Sequence, residues 1–121
     1  MITVQPGDVF THASGPRAVI VNASEDRLEA IVTLPPKTGL LPEHAHPQQV
    51  ETFHIHSGGG PYRLDGVDKR AAVGDFIEVP LGARHVNPWN DGATDLVYLQ
   101  SISPVLDYLE LVTARLGYRK Q

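Results

Sequence analysis

The sequence predicts an all-β fold, a sandwich or barrel with one short C-terminal helix. Three observations carry this. Eleven glycines and ten prolines are spread along 121 residues, as many short strands joined by tight turns require. About eight short segments, several rich in β-branched residues, lie between those turn signals. Helical periodicity appears in one place, after Ser103.

Taken in order, residues 1–16 hold Pro6-Gly7 and Gly15-Pro16, turn signals with little periodicity. Arg17 to Asn22 reads as a first strand and Asn22 to Asp26 as its turn. Leu28 to Leu34 reads as a second, stopped at Pro35-Pro36 because proline cannot donate to a sheet ladder. Val50 to His56 alternates, with Glu51, Phe53 and Ile55 on one face and Thr52, His54 and His56 on the other. Gly58-Gly59-Gly60 ends it. Tyr62 to Leu64 and Val67 to Val73 flank Asp65-Gly66, a two-residue hairpin signal because both residues tolerate positive φ. Phe76 to Val79 follows the Gly74-Asp75 turn and ends at Pro80. A wide turn from Asn87 to Gly92 precedes the last long strand, Thr94 to Ile102. Ser103 then reads as a helix cap with Pro104 at the first helical position. Val105, Tyr108, Leu109, Val112 and Leu116 form the apolar stripe of that helix, and Gly117 suits its end. With no internal repeat or linker, residues 1–121 read as one domain.

Composition narrows the function. The net charge is −4, and the cations are scattered rather than striped, which argues against a nucleic-acid partner. Arg119-Lys120 reads as a frayed, solvated end. The absence of cysteine excludes disulfides, thiolate metal sites and cysteine nucleophiles. The N-terminus lacks the basic and apolar regions of a signal peptide. No stretch approaches the roughly 18 apolar residues of a membrane span. A cytoplasmic protein with neither a membrane nor a nucleic-acid partner is the expectation.

The chemistry concentrates between Gly39 and Gly58. His44 and His46 sit two apart, which in an extended segment puts both imidazoles on one face. Glu51 follows after Pro47, with room for the chain to turn back. It shares its face with Phe53 and Ile55, where a carboxylate is costly unless a cation compensates it. Two imidazoles and a carboxylate are ligand types for Zn, Fe, Mn, Ni or Cu, and His85 is a fourth candidate downstream. Such a donor set does not name its metal. His54 and His56, on the opposite face, read as outer-layer packing or a subunit contact rather than a second metal site. His12 is isolated and reads as incidental.

The two glycine-bounded stretches resemble the paired motifs of the cupin superfamily. The first family pattern, G-x5-H-x-H-x3,4-E-x6-G, is met as Gly39-x4-His44-x-His46-x4-Glu51-x6-Gly58, one residue short in its leading spacer. The second, G-x5-P-x-G-x2-H-x3-N, is met as Gly74-x5-Pro80-x-Gly82-x2-His85, with Asn90 one residue later than the pattern places its asparagine. The motifs span residues 39–58 and 74–90. The resemblance implies a jelly-roll barrel (double-stranded β-helix) with His44, His46, Glu51 and His85 holding one divalent transition metal. That metal would be Fe, Mn, Ni, Zn or Cu, with positions left open for water or substrate.

It also implies a homodimer and a small-molecule substrate or ligand. Dioxygenase-type chemistry on an enol, phenol or carboxylate is the expectation, with Glu51 as candidate base. A non-redox lyase, cyclase or isomerase, and a metal-dependent binding or sensing module without turnover, are the alternatives. Phe53, Ile55, Arg63, Trp89, Tyr98 and Gln100 are candidate pocket residues, and Arg63 would suit a carboxylate or enolate.

Overall fold

The computed structural model describes residues 3–121. Among them ten strands form two antiparallel sheets. They are β1 (Val9–Thr11), β2 (Arg17–Ala23), β3 (Leu28–Leu34), β4 (Val50–Ser57), β5 (Gly60–Leu64), β6 (Val67–Ala71), β7 (Phe76–Val79), β8 (His85–Val86), β9 (Leu96–Ser103) and β10 (Arg119–Lys120). One sheet runs β10-β1-β2-β3-β9-β4-β7 and the other β6-β5-β8. The chain leaves the large sheet after β4 to form β5 and β6, returns as β7 beside β4, crosses again to add β8 to the small sheet beside β5, and returns as β9 between β3 and β4. This is a double-stranded β-helix.

Alternation along the strands sets the interior. In β4 the side chains of Glu51, Phe53 and Ile55 are buried, while Thr52, His54 and His56 face outward. In β9, Leu96, Tyr98 and Ile102 are buried likewise, and the Phe53 and Tyr98 rings meet edge to face at 5.3 Å. The β4–β9 register slips between Ile55 and Ser57, and Gly58 follows at φ 73°. A Cβ on Gly58 would lie 2.3 Å from the Asp95 carbonyl oxygen, so only glycine fits the exit from β4. The β5–β6 hairpin turns through Asp65 at φ 50° and Gly66 at φ 78°, as the Asp-Gly pair predicts.

Three expectations are corrected. First, β1 and β10 were not foreseen, and Arg119-Lys120 does not fray. It pairs with β1, Lys120 meets Asp8 at 3.2 Å, and the Gln121 N–H donates to the Val9 carbonyl at 2.8 Å. Two- and three-residue strands hold too little alternation to be legible; β1 pairs with the adjacent β2, and β10 reaches it from the opposite end of the chain.

Second, the last long strand starts at Leu96 and includes Ser103. The Ser103 hydroxyl donates to the Asp26 carbonyl at 2.6 Å instead of capping a helix.

Third, the helix begins later and is shorter. Val105 is buried and its N–H donates to the Glu25 carbonyl at 3.0 Å, and Leu106 turns the chain at φ 49°. Helix α1 (Tyr108–Glu110) starts only after Asp107 and widens into a π-helical turn over Leu111–Arg115. There the Leu116 N–H donates to the Leu111 carbonyl at 3.1 Å. No helix among the described residues is long and apolar enough to cross a membrane.

The contrast between two glycines is testable by urea denaturation. Gly66→Ala, at positive φ with nothing within 4 Å of the added Cβ, is expected to cost about 1 kcal/mol. Gly58→Ala adds the collision with Asp95 and is expected to cost at least about twice that.

Candidate metal centre

The two motifs meet through the backbone before their side chains do. His44 and His85 form an isolated antiparallel bridge, the His44 N–H donating to His85 O at 2.9 Å and the His85 N–H to His44 O at 2.8 Å. The Gly82 N–H donates to His46 O at 2.9 Å. These bonds bring the loop before β4 and the entry to β8 together over Glu51.

The side chains then converge. One donor atom from each of His44, His46, Glu51 and His85 lies within 4.8 Å of all the others. Four donors about 2.1 Å from one ion would lie within roughly 4.2 Å of one another, so a small contraction closes the site. The His44 Nδ1–H donates to the Pro42 carbonyl at 2.8 Å and the His85 Nδ1–H to the Ala83 carbonyl at 3.2 Å. Both rings therefore offer Nε2, and the carbonyls fix their orientation. His85 Nε2 lies 2.9 Å and His46 Nε2 3.4 Å from Glu51 Oε1. His46 Nε2 is buried without a hydrogen-bond partner, which a divalent cation at the centre would satisfy. The donor set and this orphaned nitrogen fit a transition metal.

Electrostatics follow from burial. Burial pushes the Glu51 carboxyl up, but the imidazoles of His46 and His85 outweigh it and hold the group at about 2. Burial lowers His44, which favours the neutral ring a metal ligand needs. Burial also pushes His85 down, yet the Glu51 carboxylate outweighs this and raises it. The Gln100 amide fixes the other carboxylate oxygen, donating to Glu51 Oε2 at 2.5 Å and to the Tyr108 hydroxyl at 2.9 Å.

Gln100 and Tyr108 lead into a cavity of about 190 Å³ between the large sheet and the C-terminal segment. Asn87 lines it with its side chain buried beside His85. The walls are otherwise mostly apolar, and among the described residues no Lys, Arg, Asp or Glu lines the cavity. A separate polar groove of about 500 Å³ reaches His46 from the other side, past Gln48, Asp107, Glu110 and Arg115.

The structure sorts the pocket candidates. Tyr98 and Gln100 line the cavity. Phe53 and Ile55 are core residues that do not line it. Arg63 is corrected: strand phase turns it to the exposed side of the small sheet, where it pairs with Asp68 at 2.7 Å. Trp89 also lies off the cavity, in the turn after β8, where its N–H donates to the Pro61 carbonyl at 3.1 Å. His54 and His56 meet edge to face at 5.1 Å on the outer face and, among the described residues, belong to no metal-holding group.

Asn90 knots the turn after His85. Its Nδ2 donates to the carbonyls of Leu34 and Thr94, both at 2.8 Å, and its Oδ1 accepts the Gly92 N–H at 2.9 Å. Two residues were misread. Tyr108, assigned to an apolar stripe, carries its hydroxyl into the Glu51 network. His12, read as incidental, lines the cavity.

A family model for the cupin domain matches residues 30–102, and the chain belongs to that family. No curated protein matches the chain in sequence. Among solved structures it is similar to a predicted oxalate decarboxylase from Thermotoga maritima. The identity is 27%, covering 73% of this chain and 79% of that one, with a TM-score of 0.66. KdgF from Halomonas sp. is 19% identical over 83% of this chain and 89% of its own, with a TM-score of 0.71. An RmlC-like cupin from Shewanella frigidimarina is 17% identical over 83% and 86%, with a TM-score of 0.70. The last two likenesses show the fold.

Glu51 sets a pH dependence in the metal-free protein. Its folded value lies below the ordinary 4.5, so it contributes stability above pH 4.5 that is lost as the pH falls toward about 2. Glu51→Gln is expected to remove that loss, read from denaturation midpoints at stepped pH. In metal-loaded protein, the melting temperature is expected to fall on chelation at neutral pH. It should also fall on acidification through the histidine range, because protonated imidazoles release metal.

Proposed function

We propose that this cupin is a metal-dependent enzyme acting on a small, uncharged molecule through an enol or phenol oxygen, with dioxygenase-type chemistry. One observation carries the reading: Gln100, which holds Glu51, and Asn87 and Tyr108 beside it line a mostly apolar cavity that no Lys, Arg, Asp or Glu lines among the described residues. Its size supports a single ring. An apolar cavity of about 150 Å³ accepts benzene, so about 190 Å³ suits one ring with small substituents. The Thermotoga relative is described as a predicted oxalate decarboxylase. A dianion of that kind would meet no cationic side chain in this cavity, which favours the enol or phenol over the carboxylate.

His44, His46, Glu51 and His85 would hold the metal. Bound there, it supplies Lewis acidity to the substrate oxygen and, if it is iron, manganese, nickel or copper, a means of activating O2. The rest is done by the chain. Gln100 grips Glu51 Oε2 and so keeps Oε1 toward the imidazoles. Glu51, ionised at neutral pH, would take the enol or phenol proton. The Tyr108 hydroxyl, raised well above its ordinary value by burial, stays protonated and accepts from Gln100. Its own proton is free to orient an oxygen in the cavity. The apolar walls exclude water from that oxygen.

The test is oxygen uptake by protein loaded separately with iron, manganese, nickel, copper or zinc, using catechol and acetylacetone. Uptake with a redox metal and none with zinc is expected. Glu51→Gln should lower the rate about a hundredfold or more. Binding of either compound without turnover under every metal would instead make the protein a binding module.

A further inference from the structure

His12 stands at the far end of the cavity from the metal centre. The Ser14 N–H donates to His12 Nδ1 at 3.0 Å, and Ser14 Oγ lies 2.7 Å from the same nitrogen. With Nδ1 accepting, the ring proton sits on Nε2. Among the described residues nothing is hydrogen-bonded to Nε2, and the ring lies edge-on to Tyr118 at 5.3 Å, in a half-buried position on the cavity wall. Nε2 lies beside Gly117 at the cavity wall, and a donor fixed by its neighbours there with no acceptor of its own is a recognition element for a ligand.

The sheet register places the two ends. The His12 N–H donates to Pro16 O, next to the Arg17–Thr33 pair of β2 and β3. Leu34 of that neighbouring level pairs with Leu96 of β9, and Gln100 lies four residues further along β9. His12 and Gln100 are therefore separated by roughly 14 Å along the strand direction, spanned by Ala18, Ala30, Val32 and Tyr98 on the cavity wall. The two residues also stand three strands apart across the sheet, from β1 to β9, so an elongated, substituted ring would cross the cavity diagonally between two inward-reaching side chains. At the near end, the Asn87 side chain lines the cavity beside His85.

We infer that His12 is a specificity-determining residue. Its Nε2–H donates to a hydrogen-bond acceptor on the substrate, on the opposite side of the ring from the hydroxyl that faces Asn87 and Gln100. The inference rests on the cavity reading given above and deepens it. The ligand class becomes a para-substituted phenol, or an enol of the same shape, whose distal substituent carries a carbonyl or ether oxygen. A sugar or a polyanion does not satisfy this pattern, because the middle of the cavity offers mostly apolar surface and no Lys or Arg.

The test is titration calorimetry on the metal-loaded full chain with two probes of nearly equal shape, 4-hydroxyacetophenone and 4-isopropylphenol. Only the first carries the distal acceptor. In His12→Phe, affinity for the ketone is expected to fall about tenfold while affinity for the isopropyl compound stays within about twofold. His12→Gln, which keeps an N–H donor, should recover most of the ketone affinity. Equal losses for both probes in His12→Phe, or no loss for either, would overturn the inference and leave the cavity reading standing. Failure of both probes to bind the wild type would overturn the cavity reading and this inference with it. Should His12→Phe not fold, the wild type decides: binding the ketone more than about tenfold more weakly than its isopropyl counterpart would contradict a donor at the far end.

Discussion

A carboxylate in the middle of a buried strand face has to be compensated where it stands, and Glu51 meets that condition with few groups. It is 1% exposed, between the apolar levels of β9 and β7. One oxygen faces His85 and His46, and the other is gripped by Gln100. Leaving such a charge unpaired would cost several kcal/mol. The imidazoles must therefore be delivered to it, and the loops around the centre are organised to do so. The same charge makes the site attractive to a divalent cation, because His46 Nε2 and Glu51 Oε1 gain a common partner.

Delivery is a backbone matter. The His44–His85 bridge ties the segment before β4 to β8, and the Gly82–His46 bond adds a second tie. Ligands that come from distant points of the sequence are held by main-chain bonds, which side-chain rotamers cannot loosen. The carbonyls of Pro42 and Ala83 orient two of the rings, so the donor atoms face inward without help from an ion. On the other side of Gln100, the C-terminal segment supplies the cavity wall. Its late start after the buried Val105, and its wide π-helical turn, place Tyr108, Leu109, Val112 and Leu116 against the large sheet. The segment thus closes the apolar cavity on one face and borders the polar groove with Asp107 and Glu110 on another.

Much of this was legible in the sequence. Alternation in Val50 to His56 predicted that Glu51 would share the buried face with Phe53 and Ile55, and it does. Asp65-Gly66 predicted its hairpin, and the spacing of His44, His46, Glu51 and His85 pointed to the cluster that the fold brings together. What escaped depends on long-range pairing. Val9–Thr11 is too short to show alternation although it pairs with the nearby β2, and Arg119–Lys120 finds its partner about a hundred residues away. His12 reaches the cavity through the β1–β2 turn, where its N–H donates to Pro16 O. Arg63 failed for a different reason: its charge suggested a role in binding an anion, but strand phase put Asp68 beside it on the exposed side. Tyr108 fitted an apolar stripe by spacing, and periodicity alone does not reveal that its hydroxyl reaches Gln100.

The account stands on one claim, that the cluster around Glu51 holds a metal. Elemental analysis of the purified protein, wild type against His46→Ala, tests it directly. The account predicts close to one equivalent of a transition metal per chain in the wild type, and its loss in the variant while the fold persists. No metal in the wild type after reconstitution with iron, manganese, nickel, copper and zinc in turn would contradict it, as would equal metal in both proteins.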